Sequence, residues 1–354
     1  MKLLTLIGGL LGGALTVWLL ARFGLGPILT LLHEAGWGIV LVIAFHLVQV
    51  MFSAAAWRAI AGRVAKPSLM QFMLLRWVRE GVNNLLPVAQ VGGEFVVARL
   101  LRRRGMTLVR ATACTVCDLT TEMVTQILFT VTGLLTLLAL LGRSHVTDDV
   151  VAGLGVACLV ALVFVVGQWF GLAGLLEKGL MRLAGQFGWE GMGEIAGLHA
   201  AVTGLYRSPS AVALALMHQS ISWLLGAVEV CLALHFLGHD ITLAEGLVIE
   251  SLSQAVKAAG FVVPGALGVS EGGFVVVGAL FGLSPQVSIA LALIKRLREI
   301  VLGLPALGAW QWLEHHPKPS GPARPGAPGA AASQAGIGGS SGEMQAALDY
   351  GDAS

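Results

Sequence analysis

Charge is scarce in this sequence. Only 12% of its 354 residues are Asp, Glu, Lys or Arg, against about 25% in a soluble domain. With 56% hydrophobic residues and a mean hydropathy of +0.81, that shortage excludes a large globular core and indicates a polytopic membrane protein. Cysteine is scarce too. Cys114, Cys117, Cys158 and Cys231 all sit in apolar segments, so no disulfide framework is implied. Cys114-x-x-Cys117 has metal-like spacing but no second pair or histidine close by, and reads as packing. There is no P-loop, Gly-x-Ser-x-Gly elbow, His-Glu-x-x-His or nucleotide-binding glycine motif, so neither an enzyme nor a cofactor is expected. A net charge of +2 and the lack of a basic-aromatic patch give no reason to expect nucleic acid as a partner.

What is present is a series of long apolar runs. Six full spans are expected, at about residues 3–21, 37–56, 111–141, 148–170, 209–237 and 285–312. The first follows a single lysine with no cleavage site leading into a polar domain, and reads as an uncleaved span. Between it and the second lies a short loop with Arg22, Pro27, His33 and Glu34. Trp37, Trp57, Trp310 and Trp312 are placed like interfacial belts. Residues 171–208 alternate polar and apolar positions at helical spacing and read as one or two amphipathic surface helices. Residues 317–354, rich in Pro, Gly, Ala and Ser, read as a disordered tail. The expected fold is all-α: a membrane domain over 1–316, with halves at roughly 37–170 and 171–312 and the first span extra.

Two stretches interrupt the apolar pattern. The first carries Arg76, Arg79, Glu80, Asn83, Asn84, Pro87, Gln90, Gly92, Gly93 and Glu94, and reads as two helical arms, about 69–86 and 88–101. The second, about 242–282, carries Lys257, Pro264, Gly265, Gly268, Ser270 and Glu271. Proline ends a helix, and polar groups at membrane depth are retained where they are buried in protein or line a wet cavity. Pro87 and Glu94 are seven apart, as are Pro264 and Glu271, and 177 residues separate the two pairs. Gly105-Met106-Thr107 and Gly282-Leu283-Ser284 keep the same offset. An odd number of crossings between the copies makes this an inverted repeat of two re-entrant or broken hairpins.

Lys and Arg crowd the flanks of the first hairpin (Arg58, Arg63, Lys66, Arg102, Arg103, Arg104, Arg110) and are absent from those of the second. The first therefore opens to the cytoplasm, and both termini are cytoplasmic. The free N–H groups of each second arm are expected to attract an anionic head group, with Arg76, Arg79 or Arg99 as counter-charge. The alternative is a capped and packed kink.

Asp118 and Glu122 share a helix face, and Lys295, Arg296, Arg298 and Glu299 cluster in the last span. Pairing between the two groups is expected, as a structural network or as a substrate or proton pathway. His46, His218 and His235 read as packing histidines. Gln219 and Ser222 beside His218 form a polar patch, Glu229 needs a partner, and Glu245 and Glu250 are placed at the outer mouth of the second hairpin.

The run Arg76-Trp77-Val78-Arg79-Glu80-Gly81-Val82-Asn83-Asn84-Leu85-Leu86-Pro87-Val88-Ala89-Gln90-Val91-Gly92-Gly93-Glu94, followed by Asp118-Leu119-Thr120-Thr121-Glu122, resembles the HpnL family of hopanoid-cluster membrane proteins. Pro264-Gly265-Ala266-Leu267-Gly268-Val269-Ser270-Glu271 fits as well. That family is similar to the flippase-like integral-membrane domain of lysylphosphatidylglycerol synthases. The resemblance covers about residues 1–315. It implies a bacterial inner-membrane lipid transporter or flippase whose partners are membrane lipids, hopanoid or phospholipid. A scaffold for hopanoid biosynthesis enzymes is the alternative, and an intramembrane lipid-modifying enzyme a third reading. The soluble aminoacyl-transfer domain of the synthases has no counterpart in the sequence.

Overall fold

The computed structural model describes residues 2–61, 67–86, 92–142, 197–259, 263 and 266–316. They belong to one compact unit, Met1–Pro317, and contain no strand among them. Expectations for residues 148–170, for most of 171–208, for the tail 317–354 and for Pro87, Gln90, Pro264 and Gly265 lie outside the described residues.

The helices run α1 (Lys2–Phe23), α2 (Leu25–Ala35), α3 (Trp37–Ala61), α4 (Leu69–Leu85), α5 (Gly92–Arg103), α6 (Leu108–Leu141), α7 (Leu198–Tyr206), α8 (Pro209–Phe236), α9 (Leu243–Ala259), α10 (Val269–Ala279) and α11 (Pro285–His315). Local chemistry sets several starts. Ser68 and Gln71 form a capping box at α4. Thr107 caps α6 and Ser284 caps α11, each side chain accepting from the backbone N–H three residues on. Both are preceded by a glycine of positive φ, Gly105 at 92° and Gly282 at 74°, where a Cβ would be strained.

α3, α6 and α8 are long and apolar enough to cross a membrane. α11 has the length but carries Lys295, Arg296, Arg298 and Glu299 in its middle. The stretch expected as a loop after the first span is instead helix α2, bent 89° from α1 at Gly24. Pro27 lies in its first turn, where a missing N–H costs little.

Two apolar clusters hold the helices, with a polar layer between them. The first gathers α1 and α2, the start of α3, the ends of α6 and α8, the second hairpin α9–α10 and the first half of α11. The second gathers the end of α3, the first hairpin α4–α5, the starts of α6 and α8, α7 and the end of α11. α3 and α11 therefore run from the first cluster to the second, and α6 and α8 run the other way. The starts of α10 and α11 follow those of α5 and α6 at the same interval of 177 residues. α4 and α11 cross closely at Gly81 and Gly303, where a Cβ on Gly81 would stand 2.8 Å from that of Ala306. The indole N–H of Trp77 donates to the Leu302 carbonyl beside this crossing (2.8 Å).

Candidate functional site

Between the two apolar clusters lies a cavity of about 280 Å³. The middles of α3, α6, α8 and α11 and the facing arms of the hairpins, α4 and α9, line it. Of the candidates read from sequence, Arg76, Arg79, Glu80, Asn83, Asn84, Glu94, Glu122, Lys257, Arg298 and Glu299 reach its wall.

The first hairpin builds one side. Gly93 is pressed so close to α4 that a Cβ there would stand 2.5 Å from the Arg79 carbonyl oxygen. That approach lets the Gly93 N–H donate to Asn83 Oδ1 (2.7 Å), while Asn83 Nδ2 donates to Glu94 (3.2 Å). One N–H of the α5 N-terminus, that of Gly93, is thus held by this chain's own Asn83. The arginines are engaged as well. Arg76 donates through Nε to Glu80 (3.0 Å) and through Nη2 to Glu122 (2.6 Å). Arg79 binds Asp118, Glu122 and Glu94, with its guanidinium 5.9 Å from the Trp57 ring centroid. Arg99 points elsewhere and pairs with Glu314 (2.7 Å).

The second hairpin mirrors this chemistry with different residues. Lys257 donates to Glu299 (2.6 Å) and Lys295 to Glu250 (2.6 Å). Arg296 reaches Glu299 (2.9 Å) and Glu271 (3.3 Å). Asp118 and Glu122 were expected to pair with Lys295 or Arg296, but each set is satisfied by its neighbouring hairpin. The nearest opposite charges are local: Arg76 and Arg79 of α4 meet Asp118 and Glu122, while Glu250 of α9, Glu271 of α10 and Glu299 of α11 itself meet Lys295 and Arg296. The contacts across the middle are others. Arg298 and Gln49 both donate to Glu229, and His46 stands between Glu229 and Glu80.

Asp118 is buried behind Arg79 and does not line the cavity. Lys295, Ser270 and Glu299 border a small pocket beside Phe274. Arg296 and Glu271 do not line it but pair with each other, and Gly268 precedes α10 with φ 74°. Glu250, expected at an outer mouth, is buried and lines the cavity. The polar patch on α8 contributes Gln219 and Ser222 to the wall, and residues not grouped from sequence complete it: His46, Gln49 and Ser53 on α3, and Trp223 on α8. Helical spacing of these polar positions was the available signal. His218 does not line it, and its ring Nδ1 is 2.7 Å from the Leu214 carbonyl oxygen.

Among the described residues the layer holds eight carboxylates (Glu80, Glu94, Asp118, Glu122, Glu229, Glu250, Glu271, Glu299) and six cations (Arg76, Arg79, Lys257, Lys295, Arg296, Arg298). Each of these cations contacts at least one carboxylate, and the balance is acidic. Gln219 Oε1, buried at the cavity wall, has no hydrogen-bond partner among the described residues. Among the described residues no cluster of three or more His, Cys, Asp or Glu is arranged to hold a metal ion.

A family model described as the lysylphosphatidylglycerol synthase TM region matches residues 5–306 of this chain. No curated protein matches it, and no solved structure matches it.

Proposed function

The chain belongs to the lysylphosphatidylglycerol synthase TM region family, a flippase-like family of membrane proteins, and from that premise we propose that it is a lipid transporter. The head group enters the polar cavity between the hairpins while the apolar body stays in the bilayer. The observation that carries this reading is the cavity itself, about 280 Å³ of polar-walled space at the level where the spanning helices are half crossed. That volume lies at the small end of ligand pockets, which run to about 300–1,000 Å³, and suits a head group. The resemblance of the first hairpin motif to the HpnL family directs the choice of lipid to hopanoids first and phospholipids second.

The opposed directions of α3 and α8, and of α6 and α11, support an inverted repeat of two halves, with α1 and α2 outside it. Six crossings and two hairpins make up the topology on this reading. The basic residues Arg58, Arg102, Arg103, Arg104 and Arg110 lie at the end held by the second apolar cluster. The positive-inside rule puts that end, and both termini, in the cytoplasm of a bacterial inner membrane.

The wall favours a head group that brings donors. Carboxylates outnumber cations, and Gln219 adds an unused acceptor. Hydroxyls or an ammonium satisfy these groups, whereas a bare anion finds each arginine of the layer already held. The full pairing of the cations also favours a second reading, a non-transporting scaffold for hopanoid-synthesising enzymes. The cavity weighs against it, since a scaffold has no use for polar empty space at membrane depth. Reconstitution in vesicles with labelled hopanoid, phosphatidylethanolamine or phosphatidylglycerol in one leaflet tests the choice. Protein-dependent transfer of at least one is expected; no transfer of any refutes transport.

A further inference from the structure

His46 lies on α3 at the wall of the cavity. Its ring stands between carboxylates from two other helices. Nδ1 is 3.2 Å from Glu229 Oε2 on α8, and Nε2 is 3.4 Å from Glu80 Oε2 on α4. A neutral imidazole has one N–H and one bare nitrogen. The bare nitrogen and an ionised carboxylate oxygen are both acceptors, so they repel rather than bond. Both contacts form together only when the trio holds one proton more than a neutral histidine and two carboxylates. That proton sits on the ring, giving an imidazolium, or on a carboxyl that donates to the bare nitrogen.

The surroundings have room for it. From α4, Arg76 bonds Glu80 (3.0 Å). From α11, Arg298 bonds Glu229, and Lys295 lies 3.7 Å from it. From α6, Glu122 reaches the cluster through Arg76, and from α9, Glu250 reaches it through Lys295. α7 meets α3 in the second apolar cluster, away from the trio. The layer as a whole has two carboxylates more than it has Lys and Arg, so an added proton moves it toward neutrality. The two partners differ in environment. Glu229 is fully buried and keeps Gln49 and Arg298 as donors, whereas the Glu80 side chain is 26% exposed.

We propose that His46, Glu80 and Glu229 form a proton-binding site, and that head-group movement through the cavity is coupled to release and rebinding of that proton. The coupling rests on the transporter reading above. When the proton leaves to water in the cavity, a neutral His46 keeps one N–H and gives up one carboxylate. Glu80 is the one released, because Glu229 is held from three sides. Releasing Glu80 removes the polar tie between the first hairpin and His46 on α3, leaving their apolar packing in place.

Solid-state NMR of the ¹⁵N-histidine-labelled full chain in bilayers separates imidazolium from neutral rings, and infrared difference spectra read protonated carboxyls. Among nine histidines, the His46 signal is assigned by its loss in His46→Gln. The expected result is a change of protonation at His46, or at a carboxyl lost in Glu80→Gln or Glu229→Gln, between about pH 5 and 9. In vesicles, a pH gradient should then bias lipid distribution by about tenfold per unit for each coupled proton. Glu80→Gln, which keeps the side-chain shape, should remove that bias. A trio whose protonation is constant across this range overturns the proton site, and transfer indifferent to the gradient overturns the coupling. Titration without transfer of any lipid upholds the proton site and refutes the transporter reading instead.

Discussion

Replacing Arg79 by Met puts the ion-pair layer to a quantitative test. The Arg79 side chain is 4% exposed and serves three carboxylates: Asp118 at 2.5 Å, Glu94 at 3.2 Å, and Glu122. Met fills much of the space and leaves the aromatic contact with Trp57, so the loss is chiefly electrostatic. Removing one partner of a buried pair costs about 3–5 kcal/mol because a charge is left uncompensated. Two features hold the value near the low end. Asp118 keeps Arg76 at 3.5 Å, and Glu94 keeps Asn83. The expected loss is therefore about 3 kcal/mol, read by reversible unfolding in mixed micelles through tryptophan fluorescence. Arg79→Lys retains the charge but cannot fork to three acceptors, and should lose about half as much. Adding Asp118→Leu to Arg79→Met removes the orphaned charge and should recover at least about 1 kcal/mol, a coupling expected only of groups in contact. A loss below about 1 kcal/mol for Arg79→Met, with strict additivity in the double variant, would refute the reasoning.

Two further outcomes are expected. Gly93→Ala drives a Cβ into the Arg79 carbonyl oxygen and Asn83 Oδ1, at 2.5 and 2.8 Å. It should cost about 1–3 kcal/mol in the same unfolding assay, whereas Gly272→Ala on α10, with open space around the added carbon, should be neutral or gain up to about 1 kcal/mol. Gln219→Leu removes an acceptor that the folded protein leaves unused. It should therefore leave stability unchanged or raised while weakening competition by polyol or ammonium head-group analogues about tenfold, the worth of one hydrogen bond. Unchanged competition with lowered stability would show that Gln219 serves the fold and not a ligand.

The breaks were legible because they violate their context. Three amides, a proline and two glycines in an apolar run have few structural uses; α4 lies where that composition placed the first arm, and α5, described from Gly92 on, covers most of the second. Partner choice was not legible. Asp118 and Glu122 share a helix face with no indication of which cation meets it; that depends on α6 packing beside α5 and within reach of α4. His46 was read as packing because a single polar residue in an apolar span resembles it, and Glu229 was seen to need a partner that the sequence did not name. The stripes His46, Gln49, Ser53 and Gln219, Ser222, Gly226, Glu229 repeat at three- and four-residue spacing, the period of one helix face. Reading them as faces would have placed α3 and α8 on the cavity. Helix α2 was hidden by Pro27, His33 and Glu34, which suggest a loop until proline is seen to occupy a first turn.

The energetic logic of the layer argues for function over mere cohesion. Burying six cations and eight carboxylates between two apolar clusters incurs a desolvation cost of several kcal/mol per ion before pairing returns it. Well-packed apolar residues in place of buried ion pairs are commonly neutral or stabilising by about 1–4 kcal/mol. The close crossing of α4 and α11 at Gly81 and Gly303 shows that this chain packs helices tightly without charge where only packing is needed. A fold selected for cohesion alone would extend that solution through the middle. Instead, several carboxylates are shared: Glu122 by Arg76 and Arg79, Glu299 by Lys257 and Arg296, Glu229 by Arg298, Lys295 and His46. A shared carboxylate can lose one partner and keep another, so the hairpins can shift against the spanning helices without stranding a bare charge in the membrane. On the transporter reading, that exchange of partners is what lets a polar head group pass while the surrounding bilayer stays closed.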